Sequence, residues 1–301
     1  MLAYLEKNCK GLILKTATPF LLALLTLSTL PLAGCFQQAA PHSPPTATSL
    51  EEADAMRDTV EFIDLSGTNT VAAFPANLAS YPALTKLSLR GEKSCAEVPG
   101  SIGDFKNLAM LDLSDTGAKT LPETFVALSG LRHLYLTGNG IAAFPEPLAK
   151  LSTLEYLNLD RNELTALPAS AAGLTGIKWL RLNNNKISAL PDELSALKNI
   201  RRLYLRGNSL TNFPEVILSM TSLEELDLGG NNIASIPDGL VNLQKLTRLD
   251  LDGNPITAFP EDIGKMKAMR QMFLNKNKLP VSEQERIRAA FPDPVKVFIA
   301  F

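Results

Sequence analysis

Histidine is nearly absent. The 301-residue chain has two, along with three cysteines and a single tryptophan. His42 lies in a proline-rich stretch, and His133 with the distant Cys95 cannot close a ligand set, so no metal and no cofactor is expected. Cys9 belongs to a leader, and Cys35 directly follows it, as described below. Cys95 is then the one thiol of the folded body, which excludes an internal disulfide and suits a small buried filler. Neither sign of charge dominates: 29 basic side chains face 31 acidic ones. So balanced a surface offers nucleic acid no electrostatic footprint. The apolar stretch Phe20 to Leu30 is too short to span a bilayer comfortably. No Ser–His–Asp order and no pocket of paired carboxylates stands out, so enzyme activity is not expected. Gly138-Asn-Gly140-Ile-Ala-Ala143 matches a loose dinucleotide fingerprint, but sister segments lack its second glycine.

What the chain has in abundance is one phrase. Segments opening at Leu108, Leu131, Leu154, Ile177, Ile200, Leu223, Leu246 and Met269 follow one another at intervals of 23 residues without a slip. With the opener as zero, apolar residues return at offsets 3, 5 and 10. All but the last copy add one at 13, with proline at 14. Asparagine holds offset 8 in seven of the eight, from Asn139 to Asn277. Such units cover their apolar side chains only by stacking on neighbours, so function is sought on the surface of the stack.

The alternation at offsets 3 and 5 puts Leu157 and Leu159 on one side of a short strand, with Tyr156, Asn158 and Asp160 on the other. Offsets 17 and 20, Leu194 and Leu197 in one copy, suit a 3₁₀ or helical turn on the opposite side. The proline at offset 14 fixes φ where that segment begins. The bulkier second halves need more room than the strands, so the stack should curve with its strands inside. The asparagine column can cap backbone groups at the turn after each strand, which an apolar side chain would leave unpaired. Two degenerate copies open at Val60 and Leu84, each one residue longer. Thr68, Glu92 and Thr116 stand near the missing asparagines, and looser turns are expected there.

Leu154-Glu-Tyr-Leu-Asn-Leu-Asp-Arg-Asn162-Glu-Leu164 reads LxxLxLxxNxL. From about Val60 to Leu279 the chain resembles leucine-rich-repeat proteins of the 23-residue class with an LPxxLxxL second half. The resemblance implies an α/β solenoid, a curved horseshoe with a concave parallel sheet, short helical or 3₁₀ segments outside, and about ten repeats between two caps.

The ends complete the domain plan. Lys7, Lys10 and Lys15 precede the apolar stretch, which runs out in Leu32-Ala33-Gly34-Cys35. This resembles the bacterial lipobox, and it implies a signal peptide over 1–34 and a lipidated Cys35 holding the protein on a membrane. Phe36 in place of Asp favours the outer membrane of a bacterial cell envelope in the lipoproteins that the motif resembles. Residues 35–48 read as the lipidated cysteine and a disordered tether, since Pro41, Pro44 and Pro45 prevent a helix. Ser49-Leu-Glu-Glu52 is a capping box for an N-terminal cap over 49–59, followed by repeats over 60–280. In the C-terminal cap over 281–301, Ser282-Glu-Gln-Glu285 repeats the device before a helix to about Ala290, and Val295 to Phe301 alternates like a closing strand.

Packing does not select the side chains at offsets 2, 4 and 6, so their identities carry the functional information. Aromatics and arginines gather in the middle: His133, Tyr156, Trp179 and Arg202 on adjacent strands, flanked by Tyr135, Arg181, Tyr204 and Arg206. These types dominate binding hot spots. Glu224, Glu225, Asp227, Asp250 and Asp252 form an acidic neighbour that suits the basic end of a partner. The reading is a lipid-anchored, non-enzymatic, monomeric module whose concave face binds a protein. An envelope glycan stacking on the aromatics, or a passive structural role, are the alternatives.

Overall fold

The three-residue strand that the alternation predicts recurs in every copy. A computed structural model describes residues 43–293 and 295–301. The leader 1–34, the proposed lipidation site Cys35 and the tether as far as His42 lie outside the described residues. Parallel strands join one sheet in chain order: β1 (Thr46–Ala47), β2 (Phe62–Asp64), β3 (Lys86–Ser88), β4 (Met110–Asp112), β5 (His133–Tyr135), β6 (Tyr156–Asn158), β7 (Trp179–Arg181), β8 (Arg202–Tyr204), β9 (Glu225–Asp227), β10 (Arg248–Asp250), β11 (Gln271–Phe273) and β12 (Phe298–Ala300). The register sets each offset beside itself, as in Tyr156 against Trp179 and Leu157 against Leu180. The offset-3 and offset-5 leucines are buried on one side of the sheet.

After each proline, the second half closes with a 3₁₀ segment, such as Glu123–Ala127, Glu146–Lys150, Ala169–Gly173 and Asp192–Ala196. Pro145, with φ −68°, is already set for the turn that follows. These segments bury the offset-17 column, Phe125, Leu148, Ala171, Leu194, Ile217 and Leu240, against the leucines of the sheet. Where the column shrinks to Ala171, the back layer draws tight. A Cβ on Gly173 would stand 2.1 Å from the Ala149 carbonyl oxygen, and one on Gly176 would stand 2.2 Å from that of Ser152.

The asparagine column is a ladder of hydrogen bonds between coils. Asn162 Nδ2 donates to the carbonyls of Leu159 in its own coil, 3.0 Å, and Leu136 in the coil before, 2.9 Å. Its Oδ1 accepts from the backbone N–H of Asn139, 3.0 Å, and Ile141, 3.1 Å. Asn185, Asn208, Asn231 and Asn254 repeat the donated pair toward the C-terminus, each Oδ1 accepting from one backbone N–H of the coil before. The expectation of looser early turns is corrected. Glu92, 1% exposed, puts a carboxylate where the asparagine is missing and accepts from Asn69 N at 2.8 Å. Thr116 Oγ1 donates to the Leu113 carbonyl at 2.8 Å. Longer or hydroxylated side chains thus reach the same backbone groups.

Two further corrections concern the ends. Thr46 and Ala47, read as tether, are strand β1, paired with Phe62 and Ile63, and Ala47 is fully buried. The Pro45 carbonyl accepts from Glu61 and Phe62, so a proline-rich segment joins the sheet as its edge. The capping box forms as expected before helix α1 (Leu50–Ala55): Ser49 Oγ accepts from Glu52 N at 3.1 Å, and Glu52 accepts from Thr48 N at 2.8 Å. At the other end, helix α2 (Val281–Ala290) begins after Pro280, with no side-chain cap bond from Ser282. Glu283 instead accepts from Phe259 N, and Arg286 reaches the Phe259 carbonyl, so α2 is fastened to the last coil. β12 then pairs with β11, the closing strand that the alternation predicts.

Candidate interaction face

Strand alternation turns offsets 2 and 4 away from the core, and the common register lines them up across the sheet. In the offset-2 column, His133 on β5, Tyr156 on β6, Trp179 on β7 and Arg202 on β8 are consecutive cross-strand partners. Their rings meet. The His133 and Tyr156 centroids are 6.2 Å apart, those of Tyr156 and Trp179 5.7 Å apart and edge to face, and Tyr135 packs on Tyr156 at 4.9 Å. The Arg202 guanidinium lies 4.3 Å from the Trp179 ring centroid, and that of Arg181 5.1 Å from Tyr204. Such contacts are worth roughly 0.5–1.5 kcal/mol each beyond the area they bury. Trp179 remains 40% exposed, unusual for so large an apolar ring.

Acids within the sheet hold this row. Arg181 donates to Asp160 through Nε at 2.8 Å, and its Nη2 stands 2.6 Å from the same oxygen. Arg206 joins Asp227 at 3.1 Å and Asp250 at 2.6 Å. Arg248 lies over Phe273 at 4.3 Å and donates to Gln271 at 2.8 Å. Glu225 accepts from the Tyr204 hydroxyl at 2.7 Å and stands 3.0 Å from Arg202 Nε. Burial, with that carboxylate on its hydroxyl, pushes the Tyr204 phenol up to about 12. Burial also raises Tyr135 and Tyr156 above their ordinary value, and raises the Asp227 carboxyl even though Gly229 N and Arg206 pull it down. Asp160 keeps Arg181, and Asp227 with Asp250 keeps Arg206, fully charged against the burial that opposes it.

The structure brings the sequence-predicted residues onto one face but gives them unequal parts. His133 and Trp179 are exposed, while Tyr135, Tyr156, Arg181, Arg202, Tyr204 and Arg206 are half-buried. Asp227 and Asp250 serve Arg206, and Asp250 is only 5% exposed, so these two are braces and not open anions. Sequence reasoning missed Asp160 and Glu225 as braces. It also missed Glu155 and Lys178, which with His133, Tyr156 and Trp179 line a hollow of about 170 Å³ beside the stack. Lys178 Nζ donates to Glu155 at 2.6 Å and holds that carboxyl below its ordinary range. The recoverable signal was charge alternation between neighbouring copies at one offset, Arg132, Glu155, Lys178 at offset 1.

A family model described as Leucine rich repeat matches residues 152–210, 199–256 and 221–279. Comparison with curated proteins finds no significant match. Among solved structures, the chain is similar to an internalin from Listeria monocytogenes, with 20% identity, a TM-score of 0.68, and coverage of 84% of this chain and 70% of that one. It is similar to the Arabidopsis receptor kinase HAESA, solved with the peptide hormone IDA and the co-receptor SERK1, at 28% identity and a TM-score of 0.62, covering 73% of this chain and 39% of that one. Similarity extends to the Arabidopsis GASSHO1/SCHENGEN3 ectodomain, solved with CASPARIAN STRIP INTEGRITY FACTOR 2: 21% identity, a TM-score of 0.59, and 81% and 36% coverage. The chain thus spans well under half the length of either receptor chain.

Proposed function

We propose that this chain, whose residues 152–279 belong to the leucine-rich-repeat family, is a non-enzymatic recognition module that captures a protein partner on the exposed sheet face. One observation carries the reading: a solvent-facing row of Tyr156, Trp179 and Arg202 packs ring on ring and guanidinium on ring, and it is flanked by Arg181, Tyr204 and Arg206, which acids of the sheet itself fix in place. A preordered aromatic row loses little entropy when a partner lands on it, which is how such surfaces gain affinity. HAESA, of similar fold, was solved with the peptide hormone IDA, which supports a polypeptide ligand here.

A photo-crosslinker at position 179 in intact cells should attach to the partner and identify it. Trp179→Ala is expected to weaken capture of that partner by about 30-fold, or roughly 2 kcal/mol, and Tyr204→Ala added to it should abolish capture. Thermal unfolding should fall by only a few degrees, since cross-strand pairs contribute about 1 kcal/mol or less each. Undiminished capture by the double variant would remove the sheet face from the mechanism.

The same proposal places the module on a membrane of the bacterial cell envelope through acyl chains on Cys35. The Leu32-Ala33-Gly34-Cys35 motif after the apolar stretch supports that anchor. Cys35→Ser should move the protein from the membrane fraction to the soluble one, or stop its maturation. Unchanged fractionation would refute lipidation.

A further inference from the structure

Arg202 differs from the other arginines of the face. Arg181, Arg206 and Arg248 each spend guanidinium hydrogens on a side-chain oxygen in the sheet. Among the described residues, the Arg202 guanidinium makes no hydrogen bond: Nε, 3.0 Å from Glu225 Oε1, is buried and out of line with it. The group lies over the Trp179 ring, 4.3 Å from its centroid, and its side chain is 32% exposed. A fixed, planar guanidinium with unspent donors is the natural mate of a carboxylate, which it can bind by two parallel hydrogen bonds.

The surroundings narrow the guest further. Charges around this point nearly cancel: Arg202 itself with Lys178, Arg181, Arg201 and Arg206 are matched by Glu155, Asp160, Glu224, Glu225 and Asp227. There is little field to draw in a polyanion, and Glu225 beside Nε would repel a doubly charged phosphate more than a single carboxylate. On the other side of Trp179 lies the hollow of about 170 Å³ lined by His133, Glu155, Tyr156, Lys178 and Trp179. That volume is below the several hundred Å³ of pockets for small-molecule ligands, and it suits one large side chain. Three of its five lining residues carry rings, and its two charges are already joined as the Lys178–Glu155 pair. A neutral apolar or aromatic side chain enters it without breaking that pair.

Resting on the proposed function, we infer that the partner's docking segment sets an Asp or Glu side chain on the free edge of Arg202 and a neighbouring apolar or aromatic side chain into the hollow beside the Tyr156–Trp179 stack. The side chain, and not a chain end, is the carboxylate source, because the exposed row continues beyond Arg202. It runs over Arg248, Phe273 and Phe298, where the last two rings meet at 5.8 Å, tilted to each other, and an extended segment can keep crossing it.

Random peptides displayed on phage and selected on the full-length chain test this, with the enriched sequences then made as synthetic probes. Enrichment of an acidic residue next to Phe, Tyr, Trp or Leu is expected. Binding should shift the emission of Trp179, the only tryptophan in the chain. Arg202→Gln should weaken the probe at least about tenfold, the loss of a charge-assisted pair. Changing the probe's acidic residue to its amide should do the same in the native protein. The two changes combined should cost little more than either alone, the sign of a direct contact. Enrichment of basic or uncharged probes, or indifference to Arg202→Gln and to the amide change, would overturn the inference. So would loss only when the probe's C-terminus is amidated, which would point to a chain end. Probes that require Trp179 but ignore Arg202 leave the proposed function standing and sink this inference alone. Failure to select any probe that needs Trp179 would sink both.

Discussion

Asn162→Leu is expected to lower stability by roughly 3–5 kcal/mol, although the shape of the side chain barely changes. Among the described residues, the substitution takes the only side-chain donor from the Leu136 carbonyl and the acceptor from two backbone N–H groups, Asn139 and Ile141. All three belong to a turn that is closed to water: Asn139 is 2% exposed and Ile141 not at all. A buried polar group left without a partner costs about 1–3 kcal/mol. The Leu159 carbonyl escapes, since Asn185 Nδ2 also donates to it at 2.9 Å. Denaturant titration of Asn162→Leu beside Asn212→Leu supplies the contrast. Asn212 is exposed and bonds only to Thr211, so that change should fall within about 0.5 kcal/mol of the parent. Equal stability of the two variants would show that the ladder contributes nothing.

The second large effect comes from adding a single methyl group at a time. Gly173→Ala and Gly176→Ala each drive a Cβ to within 2.1–2.2 Å of a carbonyl oxygen in the preceding coil. The obstacle is main chain, which cannot swing aside as a side chain can, so two coils must part. Overpacking of this kind costs about 1–3 kcal/mol a site and occasionally more. The pair of changes should therefore remove roughly 4 kcal/mol and lower the melting temperature by about 10 °C. Gly130 holds the place equivalent to Gly176 one phrase-pair earlier, yet its added Cβ would meet carbonyl oxygens only at 3.4 Å. Gly130→Ala should cost at most about 1 kcal/mol. A double variant that melts with the parent would mean the back layer slides freely.

Most of the architecture is legible in the sequence. Period 2 within the phrase places Leu157 and Leu159 inside and Tyr156 and Asn158 outside, and the unbroken interval stacks like on like. Proline at offset 14 marks where the back turn starts, and the structure begins its 3₁₀ segments there. What escaped the reading depends on contacts between coils. β1 is two residues long, too short to show any period, and it exists because β2 offers it an edge. Ser282 has the spacing of a cap, but the docking of Glu283 and Arg286 on Phe259 sets where α2 begins. On the face, the repeat interval alone set His133, Tyr156, Trp179 and Arg202 side by side. It could not say that Asp227 and Asp250 would turn to Arg206, because each pairing is a choice among neighbours three strands wide. The same blindness hid Arg202 as the arginine left with donors to spare.

The two early copies each hold one residue more than the rest, and still Phe62 meets Lys86 and Lys86 meets Met110 in register. The surplus is taken up behind the strands, with the Glu92 carboxylate securing the turn. Insertions and deletions in the rear of a coil can therefore accumulate without renumbering the display in front. In such a scaffold, what is presented and how it is held can drift as separate traits.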